Sequence, residues 1–260
     1  MNEPLVLVTK AAAVTTLTLN RPAALNSFTT AMNAELLQAL NVAAHDTSVR
    51  CVVIAGQGRA FCAGQDLGDP AAAPGADLGA LISTHYKPLV QRLQNMPVPV
   101  MAAVNGVAAG AGANLALCCD MVVAGRSASF IQAFSKIGLV PDTGGTWLLP
   151  RLVGQARALG LAMLGDKVPA SEAAAMGMIW QCVDDDALQA TVQALAERLA
   201  RMPTAALVAT RKAMVDAQGL SLQGAFDLEA QLQKTFGSSH DYLEGVDAFR
   251  NKRLPIFTDR

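Results

Sequence analysis

Two glycine-rich turns, each downstream of an apolar run, constrain this chain more than any other feature. The first is Ala60-Phe61-Cys62-Ala63-Gly64-Gln65-Asp66, downstream of Cys51–Ala55. The second is Asn105-Gly106-Val107-Ala108-Ala109-Gly110-Ala111-Gly112-Ala113-Asn114, directly after Val98–Val104. Read plainly, each is a tight strand-to-helix turn that uses glycine for positive φ. Such turns can also aim backbone N–H groups at one point, and two converging donors make an oxyanion hole. One carboxylate downstream, Asp142 in Pro141-Asp142-Thr143-Gly144-Gly145, is a candidate base for chemistry beside a carbonyl. It is equally a candidate N-cap for a helix over Thr143–Leu149.

The segments around these turns alternate between strand and helix. Leu5–Thr9 and Val14–Leu19 predict a hairpin about Lys10-Ala11-Ala12-Ala13. Thr29–Ala44 has helical apolar spacing with Thr29 or Thr30 as cap. Cys51–Ala55, Val98–Val104 and Met121–Ala124 predict buried strands, and Ala111–Leu117 a helix. Leu81–Met96 predicts a helix that Pro88 could kink, after a Gly, Pro, Ala and Asp loop over Gly68–Gly79 that reads as mobile. Alternating strands and helices imply βα units and a largely parallel sheet. After Thr143 the pattern is mostly helical: Arg157–Leu164, Ser171–Met176, Ala187–Arg201, Ala205–Ala217, Leu222–Phe236 and Asp241–Arg250, with a short strand at Met178–Val183.

Hydrophobic residues make up 52% of the 260 residues, ample for a packed core. Charged residues make up only 16%, which predicts that some surface is covered by further copies of the chain. The net charge of −1 and the absence of a basic stripe argue against nucleic acid. The apolar stretch Val98–Ala124 is broken by Asn105, Gly106, Gly110, Gly112, Asn114 and Asp120, so it reads as core and not as a membrane span. Five cysteines without a C-x-x-C pair, and no signal-peptide pattern near Glu3, predict a reduced cytoplasmic protein. Cys62 lies beside the first turn and reads as small apolar filler that could also be reactive. His45 and His85 are isolated and no metal-ligand spacing occurs. His85-Tyr86 reads as a solvated helix face, with lining of an acyl pocket as the other possibility.

Gly110-Ala111-Gly112 lacks the third glycine and later acidic residue of a dinucleotide fingerprint, and there is neither a Walker lysine nor a G-x-S-x-G elbow. The wider pattern is more specific. Phe61-Cys62-Ala63-Gly64-Gln65-Asp66-Leu67 and Ala103-Val104-Asn105-Gly106 resemble the enoyl-CoA hydratase/isomerase (crotonase) superfamily. So do Asn20-Arg21-Pro22 with Leu25-Asn26, and Leu115-Ala116-Leu117-Cys118-Cys119-Asp120. Ser135–Asp142, Gly144–Arg151, Gly177–Gln181 and Val183–Asp185 extend the likeness toward an isomerase branch.

The resemblance implies an α/β fold: a crotonase-type spiral of ββα units over 1–200, and a C-terminal helical region over 201–260 for trimerisation and active-site cover. It implies an acyl-CoA thioester substrate, a homotrimer or dimer of trimers, a possible partner hydratase, and no metal or separate cofactor. By the same likeness the hole donors are the amides of Gln65 and Ala111. Ala63, Gly64, Asp66, Gly112, Asn114, Phe134 and Trp147 are implied to line the substrate site. Arg21, Ala23, Leu25, Lys252 and Arg253 are implied to meet coenzyme A. Hydratases of the superfamily use two glutamates to activate water, and those positions here hold Asn114 and Phe134, neither of which can be a general base. Asp142 stands where several isomerases keep an aspartate. The resemblance therefore implies a one-base proton shift by Asp142. A hydratase using Asp142 alone and a non-catalytic CoA-binding scaffold are the rival readings.

Overall fold

The computed structural model describes residues 3–260. Strands β1 (Val6–Ala11) and β2 (Val14–Leu19) form the expected antiparallel hairpin, with Val6 opposite Leu19 and Ala11 opposite Val14. Helix α1 (Thr30–His45) then crosses over, capped by the Thr29 hydroxyl accepting from Met32 N. Strand β3 (Cys51–Gly56) adds parallel to β2.

Three strand pairs follow the same path. Each puts a first strand into a large sheet and a shorter second strand into a small one. The pairs are β3 with β4 (Ala60–Cys62), β5 (Val100–Val104) with β6 (Val107–Ala109), and β7 (Met121–Gly125) with β8 (Ser129–Ile131). Between β4 and β5 run α2 (Leu78–Leu81), one π turn at Ile82–Tyr86, and α3 (Lys87–Gln94). Between β6 and β7 lies α4 (Ala111–Leu117). Next come α5 (Gly145–Val153), α6 (Gln155–Leu164), β9 (Lys167–Pro169), α7 (Ala170–Ala175) and β10 (Gln181–Val183). The large sheet has the order β1-β2-β3-β5-β7-β10, parallel after the first hairpin, and the small sheet β4-β6-β8-β9. The small sheet is absent from the sequence expectation, because its strands are three residues long and carry no readable period.

Alternation along each strand of the large sheet fills two cores. Val52, Ile54, Val100, Ala102, Val122 and Ala124 face the main core with Met32, Leu36, Leu40 and Phe61. Cys51, Val53, Met101 and Val123 face the other way, against Leu188, Val192, Ala196 and Ala200 of α8 (Leu188–Ala200). Three more helices complete the chain: α9 (Thr204–Asp216), α10 (Leu222–Phe236) and α11 (His240–Arg250). Arg211 fastens α9 to the core. Its guanidinium donates to both Asp120 oxygens at 2.6 and 2.9 Å and to the carbonyls of Met96 and Val98. Arg211→Met is expected to cost about 2 kcal/mol, between the values for exposed and fully buried pairs. Urea unfolding of the two proteins would measure it.

Two sequence expectations need correction here. The Gly68–Gly79 loop is anchored: Asp69 accepts from Ala71 N at 2.9 Å and from Thr30 N at 2.8 Å, tying the loop to the start of α1. The helix expected from Thr143 begins two residues later, with Gly144 at its N-cap position. The Asp142 carboxylate caps nothing, because Gly145 N donates to the Asp142 carbonyl instead.

Candidate active site

The first turn leaves β4 and is held from outside. Phe28 N donates to Gly64 O at 2.7 Å and Asp66 N to Phe28 O at 2.8 Å, a single parallel bridge that skips the Gln65 N–H. Among the described residues, that N–H has no protein acceptor. Asn26, fully buried, donates to the carbonyls of Gln57 and Ala60 at 2.9 and 2.8 Å. Arg21 reaches Asp66 at 2.9 Å. These bonds show why Asn20-Arg21-Pro22 and Leu25-Asn26 accompany the turn. Gly68 N and Arg21 hold the Asp66 carboxyl below its ordinary range, so Asp66 is a charged brace.

The second turn leaves β6 at Gly110, whose N donates to Ile131 O at 2.8 Å. Ala111 opens α4, and the first N–H of a helix has no partner inside it. No other protein acceptor takes it among the described residues. The two turns lie backbone against backbone. A side-chain carbon at Gly64 would come within 2.8 Å of Ala109 O and 3.6 Å of Ala111 N, and one at Gly112 would overlap the Cys62 carbonyl. Gly64 also has φ +96, so glycine is required there twice over. Gln65 N–H and Ala111 N–H are thus neighbouring donors without acceptors, the arrangement an oxyanion hole needs.

Asp142 stands just before the α5 start. Thr143 Oγ1 donates to its Oδ1 at 2.8 Å, and Asn114 Nδ2 donates to its carbonyl at 2.8 Å. Burial raises the Asp142 pKa above the ordinary aspartate value, against the smaller opposing effect of the Thr143 hydroxyl. Burial outweighs the hydroxyl bond, and Gly144, not Asp142, meets the helix start. Thr143→Val keeps the shape and removes that hydroxyl bond. The acid limb of the pH–rate profile is expected to move to higher pH in this variant, read from kcat/KM between pH 4 and 8.

The other residues implied by the resemblance are placed as follows. Asn114 is fully buried and accepts from Gln132 Nε2 at 2.8 Å. Phe134 is buried beside Gly110. Trp147 is half exposed, carries Arg151 at 4.2 Å over its ring, and lines a cavity of about 820 Å³ between α5 and α9 together with Cys118, Leu148 and Met214. Ala23 and Leu25 sit on the turn after Arg21. Lys252 is exposed, and Arg253 is bound by Glu244 at 2.6 Å and Asp247 at 2.7 Å. Burial pushes the Cys62 thiol up to about 12, so it is inert filler. One His/Asp group close enough to meet a metal, His240, Asp241 and Asp259, lies on α11 and the C-terminal tail. There Asp241 already accepts the N–H groups of Thr258 and Asp259.

Tyr86 is the residue that the sequence reading misplaced. It is buried, not on a solvated face. Its hydroxyl donates to Gln65 Oε1 at 2.6 Å, and its ring packs edge-on against Phe28. Burial pushes its phenol well above the ordinary range. The hydroxyl bond sets Tyr86 against the Gln65 turn.

The spiral of paired strands, the two neighbouring amides without protein acceptors among the described residues and the half-buried Asp142 make up the site that this fold presents. The chain belongs to the enoyl-CoA hydratase/isomerase family, whose pattern it matches over residues 9–260. It is 52% identical to 1,2-epoxyphenylacetyl-CoA isomerase of Escherichia coli K12 over 250 residues, 95% of each chain. It is 50% identical to a protein of Rhodobacter capsulatus named probable enoyl-CoA hydratase, over 94% of each chain. The crystal structure of enoyl-CoA hydratase from Bacillus anthracis superposes with a TM-score of 0.93 at 30% identity, covering 98% of this chain and 100% of that one. The crotonase-type α/β fold with its C-terminal helical region is therefore established. No helix among the described residues is long and apolar enough to cross a membrane.

Proposed function

We propose that this protein is a CoA-thioester isomerase that moves a proton from the α to the γ carbon. The thioester oxygen enters the hole between Gln65 N–H and Ala111 N–H. Asp142 removes a proton from the α carbon, and the resulting enolate places its charge on that oxygen. Asp142 then returns the proton at the γ carbon. The double bond shifts into conjugation with the thioester, and nothing is oxidised or reduced. The step thus calls for no redox cofactor and no metal.

The observation that carries this reading is the half-buried carboxylate of Asp142, joined through its backbone to an amide, Asn114. Asn114, at the position where a water-activating glutamate would be needed, has its amide committed to Asp142 O and Gln132. The likeness to the Escherichia coli isomerase points to ring-1,2-epoxyphenylacetyl-CoA as substrate, in phenylacetate catabolism. The epoxide opens to its seven-membered oxepin isomer, and a proton moves from the side-chain CH₂ to a ring carbon. Conversion of 3-enoyl-CoA to 2-enoyl-CoA is the same shift. We further propose self-assembly into a trimer or dimer of trimers. α10 buries none of its residues, and Leu222, Phe226, Leu243 and Phe249 lie exposed on the C-terminal helices. The five free cysteines suit a reducing compartment, the cytoplasm.

A second reading, hydration of 2-enoyl-CoA, rests on the name of the Rhodobacter capsulatus relative. An ultraviolet assay separates the two. Growth of conjugated-enoyl absorbance from a 3-enoyl-CoA, followed by turnover of the epoxide, is the expected result. Rapid loss of absorbance from crotonyl-CoA, with no isomerase signal, would select hydration.

A further inference from the structure

We propose that Gln132 and Asn114 form an amide relay that positions Asp142 by its backbone carbonyl. The inference rests on Asp142 being the base. Both relay residues are buried, Asn114 fully and Gln132 to 3% exposure. Gln132 Nε2 donates to Asn114 Oδ1 at 2.8 Å, and Asn114 Nδ2 donates to Asp142 O at 2.8 Å. The direction of the relay is fixed chemically. A carbonyl can only accept, so Asn114 must turn its NH₂ toward Asp142, and its oxygen is then left to face the Gln132 NH₂.

The relay ties the base to the hole. Asn114 lies three residues after Ala111, on the short helix that the hole donor opens. Gln132 directly follows Ile131, whose carbonyl accepts from Gly110 N at 2.8 Å. Both ends of the relay are therefore anchored in the backbone that shapes the second turn. At its far end the Asp142 carbonyl accepts twice, from Asn114 Nδ2 and from Gly145 N, which uses both lone pairs. A side chain at Gly145 would collide with the Asn114 amide, so the α5 start is fitted against it.

The segment being held needs holding. Thr143, next to Asp142, has φ +51, a region that β-branched residues rarely adopt. Such a backbone persists only when its surroundings over-determine it. The relay has a cost of its own, because the Gln132 Oε1 is buried without a partner among the described residues. An apolar side chain would avoid that orphan, so the Gln132 amide is explained by the bond it donates.

The test is steady-state kinetics with a 3-enoyl-CoA on Asn114→Ala, Gln132→Met, the double variant and Asp142→Asn. Misplacing a reacting group by about 1 Å can cost about 10²-fold. The expected result is a kcat roughly 10²-fold lower in Asn114→Ala and roughly 10-fold lower in Gln132→Met, with KM changed by less than about threefold. Because Gln132 acts through Asn114, the double variant is expected to be no slower than Asn114→Ala alone. A normal kcat in Gln132→Met, or multiplying losses in the double variant, would overturn the relay while an inactive Asp142→Asn kept the base reading intact. Full activity in Asp142→Asn would overturn both. Gln132→Met keeps volume and removes the orphaned oxygen, so it decides the matter if Asn114→Ala does not fold.

Discussion

Replacing Asp142 by asparagine is expected to lower kcat by about 10²–10⁴, the range that a positioned general base supplies. Binding of coenzyme A and the fold should survive. The amide is the same size, its oxygen can still accept from Thr143 Oγ1, and the backbone bonds to Asn114 and Gly145 are untouched. The stability of the variant gives an independent check. Burial raises the Asp142 pKa in the folded protein. A group with a raised folded pKa favours folding in its protonated form. That contribution is complete below the ordinary aspartate value and is lost as pH rises through the raised one. Above that raised pKa the native protein carries an ionised carboxylate in an unfavourable place, and Asp142→Asn does not. The variant is expected to melt above the native protein at pH 7, with the gap closing as pH falls through the Asp142 titration. Thermal melts across pH 4 to 8 would show it. Loss of activity together with a lower Tm at pH 7 would mark Asp142 as a structural residue instead.

Much of this architecture is legible in the sequence because apolar spacing carries it. The helix expected at Ala111–Leu117 is found at those residues, and Val14–Leu19 pairs as expected. Thr29 caps α1 through its hydroxyl because a free oxygen at that position has an N–H to accept from. What fails has local causes. The small sheet is built from strands of three residues, set where Gly and Ala let backbones approach, and no two-residue period can emerge from three positions. Asp142 looks like a cap, but two glycines follow Thr143 and let the helix start later, so the carbonyl takes the bond meant for the carboxylate. Tyr86 looks solvated on a helix of regular repeat that only Pro88 could kink. The π turn at Ile82–Tyr86, just ahead of Pro88, adds a residue to the repeat and changes which face meets the core.

The site was legible in a different way. Composition and spacing allow two tight turns with no chemistry at all. The family likeness picks out Gln65 and Ala111, and among the described residues neither N–H has a protein acceptor. Asn114 illustrates the limit. From sequence one can say that an amide cannot be a base. What the amide does instead depends on a carbonyl 28 residues away, which no spacing rule reaches.

Gly64→Ala is expected to separate backbone from side-chain contributions to the hole. At φ +96 an alanine is strained, and its methyl would press on Ala109 O, 2.8 Å away, and toward Ala111 N. The turns must move apart, and the two donors with them. Losing one oxyanion donor costs about 10²–10³ in kcat, so a loss of that size is expected here. Stability should fall by about 1–3 kcal/mol, the usual cost of an unfavourable backbone conformation. Gln65→Ala is the matching control. It keeps the N–H and removes only the amide that accepts from Tyr86, so its kcat should fall by less than about tenfold, the loss of positioning without loss of the donor. The two variants should also differ in what they bind. A thioester analogue in which CH₂ replaces the carbonyl never uses the hole, and it should bind Gly64→Ala and the native protein alike. The intact thioester should bind Gly64→Ala more weakly. If Gln65→Ala proves as damaging as Gly64→Ala, the Gln65 side chain and not its backbone does the work. The oxyanion would then have to be met by the Gln65–Tyr86 pair, and the chemistry assigned to the two turns would rest on a phenol and an amide side chain.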